Sequence, residues 1–168
     1  IIRNHYVGRS FIEPTQMLRD MRVKLKHNVN KPVVEGKRII LVDDSIVRGT
    51  TSKKIVKMMR DAGAKEVHMR IASPPIKHPD YYGIDTPNED ELMAAKHSIE
   101  KMARKLGCDS LGFISVDGLY RAMGEEKRND AMPQYTDHCF TGNYPTRLLD
   151  MLDNETISKQ LSLLAEIA

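Results

Sequence analysis

Two stretches of the chain run apolar without alternation. Arg38-Ile39-Ile40-Leu41-Val42-Asp43-Asp44 is aliphatic, rich in β-branched residues and closed by two acids. Glu66-Val67-His68-Met69-Arg70-Ile71-Ala72-Ser73 is more mixed and stops at Pro74-Pro75, and Ser110-Leu111-Gly112-Phe113-Ile114-Ser115-Val116 is a third candidate. Continuous apolarity predicts strands covered on both faces, as in a parallel sheet. Between them the period changes. Ile55, Val56, Met59 and Ala62 follow Thr50-Thr51-Ser52 at helical spacing, and Gly63 supplies a stop. A second helix is predicted from Thr86-Pro87-Asn88-Glu89, a capping box with proline at the first helical position. Its buried stripe is Leu92, Ala95, Ile99, Met102, Ala103 and Leu106, ended by Gly107. Strand, helix, strand, helix, strand predicts an α/β fold with right-handed crossovers.

The two ends read differently. Residues 1–37 and the start of the first strand carry a dense basic series (Arg3, Arg9, Arg19, Arg22, Lys24, Lys26, Lys31, Lys37, Arg38) with a weak helical pattern near 17–25. Residues 124–145 are polar and turn-rich, and 156–168 resume an amphipathic helix.

Composition narrows the possibilities. A chain of 168 residues, 40% hydrophobic and 29% charged, suits one domain with a single core. A net charge of +3 does not mark a nucleic-acid binder but suits an anionic small molecule. The longest apolar run, Ile39-Ile40-Leu41-Val42, falls far short of the ~20 residues of a membrane span. The chain opens Ile-Ile-Arg-Asn-His with neither an initiating Met nor a signal peptide, and a fragment is the expectation. Cys108 and Cys139 lie too far apart for a Cys-x-x-Cys pair, too few for a disulfide framework, and a reducing cytoplasm is expected. Both read as small packed residues, and Met59 and Met102 as core filler. The six histidines show no metal-ligand spacing, and His78 and His138 read as loop residues without a role.

Chemistry concentrates in Asp43-Asp44-Ser45-Ile46-Val47-Arg48-Gly49-Thr50-Thr51-Ser52. A buried strand delivers adjacent carboxylates to its C-terminal edge, where ligands bind in open α/β sheets. The backbone N–H groups of the following loop, the hydroxyls of Thr50 and Thr51, and the start of a helix make an anion cradle. Paired acids shortly before a phosphate cradle suit a phosphorylated ribose with a diol or metal nearby. Taken alone, an Asp-Asp pair can simply end a strand; the aliphatic run before it and the Arg-Gly-Thr-Thr after it argue for more.

This segment resembles the PRPP-binding motif of the type I phosphoribosyltransferases. Arg3-Asn4-His5-Tyr6-Val7-Gly8-Arg9-Ser10-Phe11-Ile12-Glu13-Pro14 before it, with Tyr82-Gly83-Ile84-Asp85 and Phe140-Thr141-Gly142-Asn143-Tyr144-Pro145-Thr146 after it, narrow the likeness to the amidophosphoribosyltransferase family, over residues 3 to about 152. The resemblance implies a partial type I phosphoribosyltransferase-like parallel sheet with flanking helices and its N-terminal strands missing. Residues 1–152 would form the partial domain (1–37 the flexible loop region, 38–63 the PRPP-binding strand-loop-helix) and 153–168 a C-terminal helix.

The family's activity moves ammonia, released from glutamine in an N-terminal domain, onto PRPP with loss of pyrophosphate, giving 5-phosphoribosylamine at the first step of purine synthesis. By resemblance Asp43, Asp44, Ser45, Arg48, Gly49, Thr50 and Thr51 bind PRPP, Asp43 and Asp44 face Mg²⁺, and Arg9 and Lys26 contact pyrophosphate. Tyr6 and Ile12 then belong to the closing loop and ammonia passage. Val47 stands where purine-salvage relatives place an acid, and ammonia, already a nucleophile, needs no base there.

Some relatives hold an iron–sulfur cluster through cysteines at positions matching Asp80, Thr136 and Cys139; a lone Cys139 predicts none here. The implied whole is a cytoplasmic homo-oligomer with a glutaminase domain, binding neither nucleic acid nor membrane. The competing readings are a non-catalytic regulator of the same fold that senses PRPP or nucleotides, and a phospho-receiver, which lacks a Gly-Thr-Thr cradle after its acids.

Overall fold

The computed structural model describes residues 2–3, 27–146 apart from 85 and 87, and 148. In chain order, Ile2–Arg3 (β1) pairs antiparallel with His27–Asn28 (β2). A short helix, Lys31–Val34 (α1), carries Pro32 in its first turn and puts Val34 into the core. The main unit then alternates: Arg38–Asp43 (β3), Thr50–Asp61 (α2), Glu66–Ile71 (β4), a 3-10 turn at Glu89–Glu91, Met93–Lys96 (α3), Ile99–Leu106 (α4), Ser110–Phe113 (β5), Val116–Ala122 (α5) and His138–Thr141 (α6).

β3, β4 and β5 form a parallel sheet in that order. Ile39 lies opposite Val67, Leu41 opposite Met69, Asp43 opposite Ile71, and Ile71 opposite Phe113. Both crossovers step the same way across the sheet, so right-handedness puts α2 and α4 on one face. That face is the core: Val67, Met69 and Ile71 of the sheet pack with Val56 and Met59 of α2 and Met102 and Leu106 of α4, all at most 3% exposed. Burying each such side chain contributes about 1.5–3 kcal/mol relative to leaving it in water. Asp109 ties the far end together, accepting from Val67 N–H at 2.6 Å and from Arg60 Nη2 at 2.5 Å. The Val67 N–H, with Arg60 beside it, holds the Asp109 carboxyl below the ordinary range.

Three expectations change. Each predicted strand is shorter at its C-terminal end, β5 most of all, because Ser115 leaves the sheet to cap α5 by accepting from Gly118 N–H. The sheet is covered on one face only among the described residues: Ile40 is 66% and Val42 76% exposed. A run of apolar residues records that both faces are apolar, not what packs on them. The single helix from 86 to 106 is three pieces. Leu92 turns extended and sinks fully into the core, and His97 breaks the chain again. Ser98 then starts α4 afresh with its hydroxyl accepting from Lys101 N–H at 3.3 Å. Asn88 makes no side-chain cap, and Ala95 and Ile99 of the expected stripe are exposed. The proposed helix at 153–168, the weak helical pattern at 17–25 and residues 4–26 of the basic loop region lie outside the described residues.

Candidate functional site

The paired acids sit where the sequence puts them. Asp43 ends β3, with its backbone carbonyl accepting from Ala72 N–H at 2.9 Å, and Asp44 projects from the first loop position, exposed. The two carboxylates shape the chain that follows: Asp43 Oδ1 accepts from Asp44 N–H at 3.1 Å and Asp44 Oδ1 from Ser45 N–H at 2.9 Å. Ile46, 1% exposed, pins the loop to the core. Gly49 then adopts φ 76°, a left-handed conformation that costs a residue with a β-carbon about 1–2 kcal/mol.

Gly49 caps α2 without a side chain, so the cap residue itself supplies no acceptor to the N–H groups of the first turn. The helix that starts there is 12 residues long, and its partial positive end faces the loop. The acids, the loop amides and the Thr50 and Thr51 hydroxyls are thereby placed along one continuous β3–loop–α2 segment. Hard carboxylate oxygens of this kind suit Mg²⁺, and an uncapped helix start suits a phosphate.

The 3-10 turn and the start of α3 hold this loop from outside. Met93 N–H donates to Val47 O at 2.9 Å, and a β-carbon on Gly49 would collide with the Met93 sulfur. Arg48 Nε donates to Glu91 Oε2 at 2.7 Å, and that guanidinium, with further help from Lys96, holds the Glu91 carboxyl below its usual range. Neither Glu91 nor Met93 has a local sequence signal for this role beyond belonging to an acidic turn.

A second polar centre was invisible in the pattern. His138 Nε2 lies 2.6 Å from Asp80 Oδ1, both side chains at most 6% exposed, and Asp80 Oδ2 accepts from Tyr82 and Ile84 N–H. Burial raises the Asp80 pKa, but the N–H groups of Ile84 and Tyr82 and the His138 ring outweigh it, leaving the carboxyl below its ordinary value. His138 stacks on Tyr144 and meets Tyr82 edge-on, and Tyr82 Oη lies 2.9 Å from Thr146 Oγ1. The Tyr82-Gly83-Ile84 and Phe140-to-Thr146 motifs are thus brought into one cluster.

Beside it, Arg128 donates from Nε to Asp137 Oδ2 at 2.6 Å, and Tyr120 Oη donates to the same oxygen at 2.8 Å. Burial works against ionised Asp137, but Arg128, Tyr120 and Thr141 overcome it and lower its pKa. His138 therefore corrects the loop reading, since it is buried and engaged.

Asp80, His138 and Cys139 offer ligand atoms within 4.8 Å of one another. A four-thiolate iron–sulfur cluster does not fit this donor set: Asp80 and Thr136 supply no thiolate, and the carboxylate closes directly on His138. Burial, helped by Asp80, pushes the Cys139 thiol up. Cys108 is buried as expected, and Cys139 half-buried.

Of the residues singled out in the sequence, Asp43, Asp44, Ser45, Arg48, Gly49, Thr50 and Thr51 follow one another from the end of β3 through the loop into the first turn of α2. Tyr6, Arg9, Ile12 and Lys26 lie outside the described residues, as does Asp85.

The partial parallel sheet with its strand–loop–helix is that of a type I phosphoribosyltransferase. No family model matches the chain. It is 63% identical over 166 residues to amidophosphoribosyltransferase of Rhizobium etli, covering 98% of this chain and 33% of that protein. It is 52% identical over 148 residues to that of Bacillus subtilis, covering 88% of this chain and 31% of that protein. The solved B. subtilis glutamine PRPP amidotransferase, complexed with ADP and GMP, superposes with a TM-score of 0.72 at 52% identity, over 88% of this chain and 32% of that one. By sequence and fold the chain belongs to the amidophosphoribosyltransferase family, and it spans about a third of the length of the relatives it matches.

Proposed function

We propose that this chain is the PRPP-binding part of an amidophosphoribosyltransferase, an enzyme that places glutamine-derived ammonia on C1 of PRPP to give 5-phosphoribosylamine, the first step of de novo purine (IMP) synthesis. The observation that carries the reading is β3 delivering Asp43 and Asp44 directly into a loop that ends at left-handed Gly49 and an uncapped α2.

In the reaction the C1–N bond forms as the C1–O bond to pyrophosphate breaks, the electron pair leaves on pyrophosphate, and the ammonia nitrogen sheds a proton. The loop from Ser45 through Arg48, Gly49, Thr50 and Thr51 holds the 5′-phosphate through backbone N–H groups and hydroxyls. Asp43 and Asp44 hold the ribose hydroxyls and stabilise positive charge growing at C1. They also supply oxygens for Mg²⁺, which when bound neutralises charge on the departing pyrophosphate. Val47 adds no proton-transfer group, which agrees with ammonia as nucleophile.

Arg9 and Lys26 meet the pyrophosphate, and Tyr6 and Ile12 close the lid and bound the ammonia passage. The whole protein works in the cytoplasm as a homo-oligomer with an N-terminal glutaminase domain. No described helix is long and apolar enough to cross a membrane. Ammonium-dependent release of pyrophosphate from PRPP by the natural protein tests the proposal: Asp44→Asn should abolish it, and undiminished turnover in that variant would refute it.

A further inference from the structure

The sequence places Arg48 in the phosphate loop as a cation, and the structure ties one edge of its guanidinium, at Nε, to Glu91. Arg48 also lines an open cleft of about 310 Å³ beside α2 and α4, with Lys53, Lys96, His97 and Leu106. Gly49 and Thr50 of the cradle border that cleft as well, whereas Asp43 and Asp44 do not. We propose that Arg48 and Glu91 are positioning residues: Arg48 does not ligate the phosphate, but ties the loop to the 91–93 segment so that its backbone N–H groups stay aimed at the ligand. This rests on the PRPP reading of the same loop.

Three consecutive residues make the attachment, each by a different force. Leu92, 0% exposed, anchors the segment in the core. Met93 gives its N–H to Val47 O and packs its sulfur where Gly49 leaves room. Glu91 reaches across to Arg48, 43 positions away in the chain. Half of each side chain of that pair is exposed, 55% for Arg48 and 48% for Glu91, so the ion pair adds little to global stability. What it supplies is direction. The loop between Asp44 and Thr50 has no ladder hydrogen bonds of its own, and a cradle of backbone donors works only when it is held in place before the ligand arrives. Arginine suits a tether because one edge of its fork fixes the orientation of the whole side chain.

The test is steady-state kinetics of the natural protein with PRPP varied and ammonium saturating, on Glu91→Gln, Arg48→Gln, the double variant and the charge swap Arg48→Glu with Glu91→Arg. The tether predicts that each single variant raises KM for PRPP about 3- to 10-fold with kcat within about twofold. It also predicts that the double is no worse than either single, and that the swap returns KM to within about threefold of the parent. If Arg48→Gln raises KM more than about 100-fold, Glu91→Gln leaves it unchanged and the swap is dead, Arg48 is a phosphate ligand and the inference fails. Two silent single variants would also overturn it. Amide hydrogen exchange separates this outcome from a failure of the PRPP reading: with no PRPP turnover at all, a working tether still gives faster exchange at 47–51 in Glu91→Gln. Unchanged exchange there sinks the tether whatever the substrate.

Discussion

His138 Nε2 lies 2.6 Å from Asp80 Oδ1, within hydrogen-bond reach of the carboxylate, although 58 positions separate the two in the chain. The contact joins the segment after β4 to the start of α6, and both partners are out of water. Asp80→Asn keeps the shape but removes the charge and one acceptor, and should cost about 2–3 kcal/mol. Because the folded Asp80 carboxyl lies below its ordinary value, its contribution is complete above the unfolded carboxylate pKa of ~3.9 and is lost as pH falls through the folded one. Urea midpoints of parent and variant should therefore converge as pH falls below the ordinary carboxylate value and on through the folded one; a gap that stays constant over that fall would assign the loss to packing.

Asp137 makes a sharper contrast. Arg128→Met leaves a buried carboxylate without its cation and should destabilise by about 3 kcal/mol. Tyr120→Phe removes only a neutral donor and should cost about 1 kcal/mol. Denaturant unfolding of the two variants gives the order directly, and an equal cost would mean that Tyr120 and Thr141 alone satisfy Asp137.

Gly49 is held to its identity by backbone and neighbour together. Gly49→Ala must take a left-handed φ and push the Met93 side chain aside, for a loss of about 1–3 kcal/mol. The same change should weaken PRPP binding, since Met93 and the loop move together. A variant as stable as the parent in thermal unfolding would show that the loop has another conformation available.

The Ile40 and Val42 side chains form an apolar stripe on the open face of β3. An apolar sheet face in water favours association. Light scattering on this chain should show concentration-dependent self-association that Ile40→Thr with Val42→Thr reduces, and a monomer in both would contradict it.

The β3–loop–α2 segment was legible because its signals are local: an aliphatic run ending in Asp43-Asp44, then Gly49 and two threonines at a helix start. The helix predicted from 86 to 106 was not. Leu92, Met102 and Leu106 are all buried, so their spacing imitates one stripe, but Leu92 gets there from extended backbone. The signal that could have divided it is Ser98, a capping residue with Glu100 in the next turn. His138, Glu91 and Arg128 owe their roles to partners distant in sequence or buried by tertiary packing, and neither periodicity nor turn chemistry encodes such pairings.

The proposed cradling of the PRPP 5′-phosphate by the β3–α2 loop can be read residue by residue in a two-dimensional amide NMR titration of this chain with Mg²⁺ and PRPP. A cradle there gives a dispersed spectrum in which the amides of Gly49, Thr50 and Thr51, and those around Asp44, shift saturably, with the shifts lost in Asp44→Asn. A dispersed spectrum in which those amides stay still at saturating Mg²⁺ and PRPP, or in which the largest shifts fall elsewhere, would contradict it.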